Sequence, residues 1–175
     1  MNRVFSRPQL SEHFADALDY VSLVPEDGYL LKHLEDGIVQ VEAFVRALPP
    51  ERLTTPHAPG EWTVQDVMQH IADDERVFAY RLLRIARGDT TTLPGFDQDS
   101  FAAAAGANGR TLDDLWEEYA SVRRASITLV RSLPDEALSR RTDANGHELT
   151  ARAAAYVIVG HELYHLRSLR ENYGG

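Results

Sequence analysis

The chain has 175 residues, 43% of them apolar and 26% charged, the size and balance of one soluble globular domain and not of a disordered or membrane protein. Acidic residues outnumber basic ones 27 to 18, and the resulting net charge of -9 would repel a nucleic acid backbone. Cysteine is absent, which excludes disulfides, zinc ribbons, iron–sulfur ligation and a thiol nucleophile from the chain and leaves histidine and carboxylate as the available metal ligands.

Residues 1–24 carry Phe14, Leu18 and Val21 at helical spacing, which predicts a short N-terminal helix docked as an extension on a domain of residues 25–175. From 26 to 48, Leu31, Leu34, Ile38, Val41, Val45 and Leu48 step by threes and fours, the seam of one long helix. A second helix opens at Thr63, with Asp66 three residues on as a capping box. It buries Val64, Val67, Ile71, Phe78, Leu82 and Ile85, and Gly88 stops it. A third opens on Thr111 and Asp114 and carries Leu112, Leu115, Tyr119, Val122, Ser126, Leu129 and Leu133 ahead of Pro134. The fourth runs over 150–172 with Ala154, Ile158, His161, His165 and Leu169 inside. No strand alternation stands out. The predicted class is therefore all-α, a four-helix bundle. The segment 89–110 between helices two and three is too long for a tight turn, so it predicts a crossover, with a turn or two of helix in its alanine run, that could cover one bundle end. Such a crossover is what an up-down-down-up order requires. No apolar run approaches a membrane span and residues 1–10 hold no apolar signal segment, so a cytoplasmic protein without membrane or nucleic acid partners is expected.

A bundle seam should be apolar, since an imidazole buried without partners costs about 1–3 kcal/mol. Helix four breaks that rule at His161 and His165, whose i, i+4 spacing aims two ring nitrogens to one side, as chelation of a divalent metal needs. Helix two adds His70 and, on its seam one turn later, Asp74. His70 lies about seven residues, or roughly 10 Å, from the start of its helix, and His165 equally far from the end of its own. Antiparallel pairing of helices two and four brings the three rings into one layer. Three imidazoles leave coordination positions open for water or substrate and accept Zn²⁺, Ni²⁺ or Fe²⁺ alike. Asp74 and Asp66, a turn either side of His70, are candidates to hold the ring or a bound water, Asp74 competing for a structural ion pair with Arg123 or Arg124. Gly160, just before His161, leaves room for a close neighbour. His13, His33, His57 and His147 sit off the seams or in loops and are expected to be solvated.

Residues 161–165 read HELYH, the H-E-x-x-H of zinc peptidases. The extended form of that motif needs Gly and His where Ser168 and Glu171 stand, so Glu162 is read as a solvated or structural acid and not as a general base. The segments PGEWTVQDVMQHIADDERVFAYRLL (59–83) and AYVIVGHELYHLRSL (155–169) resemble the two signature regions of the DinB/YfiT-like four-helix bundles, a family named for DNA-damage-inducible genes. The resemblance spans most of the chain. It implies an up-down-down-up bundle, a metal on His70, His161 and His165, frequent homodimers, and relatives that use bacillithiol or a similar low-molecular-weight thiol, among them transferases and a mycothiol-dependent isomerase.

Three functions follow as expectations. In the first, a divalent ion activates a low-molecular-weight thiol that attacks an electrophilic small molecule. In the second, the open position holds water for hydrolysis and Asp74 accepts its proton. The third is a non-catalytic metal- or ligand-binding bundle. Arg76, Arg81, Arg84 and Arg87 form either a rim for an anionic thiol or an ordinary solvated face of ion pairs, the simpler expectation. Tyr80, Tyr164 and Trp116 are read as packing residues.

Overall fold

Four long helices carry the computed structural model, which describes residues 3–174. After a 3-10 turn at Leu10–Glu12 come α1 (Ala17–Val21), the long α2 (Leu30–Ala47), the single turn α3 (Pro50–Leu53) and the long α4 (Val64–Ala86). Then follow α5 (Gln98–Ala105) within the crossover, the long α6 (Leu112–Ser132), the turn α7 (Asp135–Leu138), a hairpin of β1 (Arg141–Ala144) and β2 (His147–Thr150), and the long α8 (Ala151–Tyr173). No helix among the described residues is long and apolar enough to cross a membrane.

Side-chain pairs set the helix directions. Gln69 meets Glu118 and Glu75 meets Arg123, positions that rise together, so α4 and α6 are parallel. Arg46 meets Asp113 whereas Glu35 meets Arg131, so α2 and α6 are antiparallel. His70 packs on His165 and Asp74 lies against His161, so α4 and α8 are antiparallel too. The bundle is thus up-down-down-up, with the crossover between its second and third long helices.

Three of the long helices begin on a threonine whose hydroxyl accepts a backbone N–H of the first turn: Thr63 from Asp66, Thr111 from Asp114 and Thr150 from Ala153. In α4 the Asp66 carboxylate returns the bond to the Thr63 backbone N–H and closes the capping box. The first long helix starts at Leu30, four residues later than its periodicity predicts. Gly28 holds a left-handed turn (φ 76°) and the Asp27 carboxylate accepts the Tyr29 N–H at 2.8 Å, both incompatible with helix at that point. Its buried stripe is Leu30, Leu34, Gly37, Val41 and Val45, while Leu31, Ile38 and Leu48 are only half-buried.

The apolar core is divided. Leu34, Phe78, Leu82, Ile127 and Val159 belong to one cluster, and Val41, Ile71, Ala120 and Leu166 to the other. Between them every long helix places small or polar residues at one level: Gly37 on α2, Asp74 and Glu75 on α4, Arg123 on α6, His161 and Glu162 on α8. Arg123 is completely buried there and forms ion pairs with Glu75 at 2.9 Å and Glu162 at 2.6 Å, while Tyr119 donates to Glu162. Burial opposes the charge of Arg123, but the two flanking carboxylates outweigh it and raise its pKa well above the ordinary value. A Cβ on Gly37 would collide with Glu162 and Arg123, so the glycine makes room for this cross-bundle pair.

Two expectations need correction. The chain does form strands: Asn145 (φ 58°) and Gly146 (φ 79°) make the tight turn of a four-pair hairpin, joined to the crossover by Leu93 N–H to Asp143 O at 2.9 Å and Asn145 N–H to Leu93 O at 2.8 Å. The crossover does not cap a bundle end. It runs the length of α4, from Pro94, whose carbonyl accepts from Arg81, to Asn108, which bonds Asp66 near the helix start. In the N-terminal segment Ala17 and Val21 are buried and Phe14 half-buried, whereas Leu18 is exposed.

Candidate metal centre

His70 from α4 and His161 and His165 from α8 meet at the edge of the polar level. The Nε2 atoms of His70 and His165 lie 3.0 and 3.1 Å from Nε2 of His161, and one ring nitrogen from each residue falls within 4.8 Å of the others. Burial holds all three pKa values down, to about 4 for His70, to about 3 for His165, and well below normal for His161, where the two neighbouring rings add repulsion. At neutral pH the rings are uncharged. Three neutral imidazoles cannot satisfy one another at this spacing, because each nitrogen aimed at the centre is a donor or an acceptor but not both.

The 3.0 and 3.1 Å separations suit ligands of one divalent cation. Donors about 2.0–2.1 Å from zinc stand about 3.0–3.4 Å apart, depending on the angle between them, and three protein ligands leave positions open. Behind the site, Oδ2 of Asp74 is buried 3.3 Å from Nδ1 of His161 and accepts no hydrogen bond from any described residue. A carboxylate there favours the tautomer with the proton on Nδ1 and the lone pair of Nε2 directed at the centre. Burial raises the Asp74 pKa to about 7, with Arg81 pulling the other way.

The structure distributes the other sequence candidates differently. Asp74 lies against His161 and not against His70, and its expected partner Arg123 is taken by the neighbouring Glu75 and by Glu162. Asp66 holds the helix cap and Asn108, so it is a structural acid. Glu162 is taken up by the Arg123 ion pair and the Tyr119 hydroxyl and is not available as a general base. His57 and His147 are exposed and His33 is half-buried beside Asp27. His13, expected in solvent, is buried with Nδ1 at 2.9 Å from the Phe14 carbonyl oxygen. Trp116 packs inside against Tyr119, while Tyr80 and Tyr164 are substantially exposed.

Sequence reasoning missed two walls of the site. Tyr20 of α1 stands edge-on to His161 at 5.2 Å, and Trp62, before α4, packs on His70 at 4.8 Å. Gly160 allows the first: a Cβ there would strike the Tyr20 carbonyl, so the missing side chain lets α1 lie directly on α8. Two cavities lie nearby, one against Trp62 and one reaching His161. One, of about 380 Å³, is bounded by Trp62, Asp66, Asp99 and Asn108. The other, of about 370 Å³, reaches His161 and Asp74 and is closed by Tyr20, Arg81, Phe96 and Asn145, residues from α1, α4, the crossover and the hairpin turn.

Residues 33–169 match the DinB superfamily. The chain belongs to that superfamily. Among DinB relatives, a presumed metal-dependent hydrolase of Oceanobacillus iheyensis is 23% identical over 80% of this chain and 81% of its own. A second, from Bacillus pumilus and named in the same way, is 27% identical over 75% and 76%. YfiT from Bacillus subtilis, described as a probable metal-dependent hydrolase with an unusual four-helix bundle topology, superimposes with a TM-score of 0.72 at 19% identity, covering 86% of this chain and 90% of YfiT. The DinB-like protein YjoA from the same organism gives 0.57 at 17% identity, over 83% and 92%. These likenesses agree on the DinB bundle.

Proposed function

We propose that the protein is a metal-dependent enzyme in which His70, His161 and His165 hold one divalent ion, zinc, nickel or iron, beside a cavity that admits a small-molecule substrate. The convergence of three neutral ring nitrogens, from buried His70 and His161 and half-buried His165, carries this reading. Bound there, the ion supplies Lewis acidity and lowers the pKa of a thiol or water that reaches it. Asp74 orients His161 through Nδ1, and Tyr20 and Trp62 shield the rings from bulk water.

The nucleophile in this proposal is the thiol of a low-molecular-weight cofactor, transferred to an electrophile. Two observations support it. The chain has no cysteine of its own. Among the described residues no carboxylate joins the three histidines in their cluster of possible ligands, so coordination positions stay open for a thiolate donor. Hydrolysis is the second reading, favoured by the names of the Oceanobacillus and Bacillus relatives. The test starts with metal analysis of untagged native protein and of His161→Ala. Near-stoichiometric metal in the first and little in the second is expected. The loaded protein is then given an electrophile panel with bacillithiol, mycothiol or glutathione, following thiol consumption, and a parallel panel of esters and amides without thiol. Thiol-dependent turnover supports the proposal, and turnover confined to the second panel replaces it with hydrolysis. Failure of the native protein to retain zinc, nickel or iron refutes both.

A further inference from the structure

Arg81 is the one arginine of α4 whose setting a solvated face does not explain. Arg76 bonds Asp73 and Glu118, and Arg84 bonds Asp89, all near the surface. Arg81 is only 6% exposed, and no carboxylate of the described residues comes within 4 Å of its nitrogens. Of its five N–H donors, one reaches the Pro94 carbonyl at 2.9 Å, and Nε is buried without a partner. A buried guanidinium with unused donors is costly unless something anionic completes it.

The guanidinium lies in the wall of the 370 Å³ cavity that ends at His161, a volume within the range of small-molecule sites. Arg81 follows Asp74 by seven residues, two helical turns or about 10.5 Å along α4, so the two residues lie on one face at different depths. The surface around it is aromatic: Phe14, Phe78 and Phe96 line the cavity, and the Phe78 ring supports the guanidinium at 4.9 Å. Gly95 admits Asn145 to the same wall, since a Cβ there would collide with the Asn145 side chain.

We propose that this cavity binds a small molecule with a carboxylate on an apolar body, and that Arg81 receives the carboxylate. The planar fork of the guanidinium matches the two oxygens of a carboxylate. Asp74 and Asp16 face the same cavity, so a single negative charge is accommodated and a phosphate dianion is opposed. The other end of the molecule then points toward His161. The inference deepens the proposed function by naming its substrate class, and it rests on that reading only for where the reacting end lies.

The test is calorimetric titration of the protein, as purified and after chelation, with cinnamate and with its neutral isostere cinnamamide, repeated on Arg81→Met and Arg81→Lys. In the chelated native protein cinnamate is expected to bind at least about tenfold more tightly than the amide, as a charge-assisted pair requires. The difference should disappear in Arg81→Met and be partly kept in Arg81→Lys. Equal binding of acid and amide to the native protein overturns the proposal without reliance on any variant, and so does a preference that survives in folded Arg81→Met. Because the chelated arm contains no metal, acid preference with no metal retention would refute the metal reading alone, and metal retention without acid preference would refute this one alone.

Discussion

Asp74 connects the histidine cluster and the cavity beside it, with one carboxylate behind a histidine ring and at the wall of the 370 Å³ cavity. Its pKa is raised by burial from 3.8 to about 7, so folding of the metal-free protein holds its proton more tightly than the unfolded chain does. That contribution to stability is fully present below pH 3.8 and is lost as pH rises through about 7. At about 1.4 kcal/mol per unit the penalty above pH 7 is about 4 kcal/mol, which Asp74→Asn removes. The variant is therefore expected to be more stable than the native chain at pH 8 when both are metal-free, with the gain shrinking toward pH 4. Urea titrations at the two pH values check it. Metal affinity should move the other way, falling about 10- to 100-fold as His161 loses the carboxylate 3.3 Å from its Nδ1. The histidines have the opposite linkage. Their depressed pKa values give stability that is present above 6.5 and lost as pH falls toward 3, so the metal-free native protein is expected to weaken in acid despite Asp74.

Among the elements, α8 has the most demanding surroundings. One side carries the histidine nitrogens, another carries Glu162 to Arg123, and Gly160 lies under the backbone of α1. Glu162→Gln should leave metal content unchanged and cost about 3 kcal/mol in urea unfolding, because Arg123 keeps only one of its two buried counter-ions. An H-E-x-x-H general base would lose activity at unchanged stability, the reverse pattern. Gly160→Ala gains about 1 kcal/mol of helix propensity but meets a backbone carbonyl that no rotamer change can move aside, at an overpacking cost of about 1–3 kcal/mol. A net loss, with faster proteolysis between α1 and α2 as α1 is pushed from α8, is the expected outcome. The helices themselves were legible because apolar steps of three and four residues report which face is buried. Gly37 and Arg123 were harder to interpret: each breaks its stripe, and only the neighbouring helices reveal that the small residue makes space for the charged one. The hairpin escaped because four residues a side give too short an alternation, although Asn145-Gly146 was a turn signal in plain view.

At the scale of the whole molecule, the layer of His70, His161 and His165 was readable from helix depth because chain direction follows from crossover length. The cavity beside it was not, since α1, the crossover and the hairpin supply its walls, and helical periodicity says nothing about where a loop lies. The fold thus brings two opposing needs together: a divided core that tolerates buried charge, and rings held neutral by that same burial. A cation bound to the rings adds stability that the chain alone lacks, because the unfolded chain has no preformed triad. Free metal at 1,000 times its dissociation constant stabilises the folded state by about 4 kcal/mol. For a domain of this size each kcal/mol moves the melting temperature by about 2–4 °C, so chelation of the loaded protein should lower it by about 8–16 °C. His161→Ala should melt at the same temperature with and without chelator. A native protein equally indifferent to chelation, after metal analysis has shown it loaded, would place the ion elsewhere than on the three histidines.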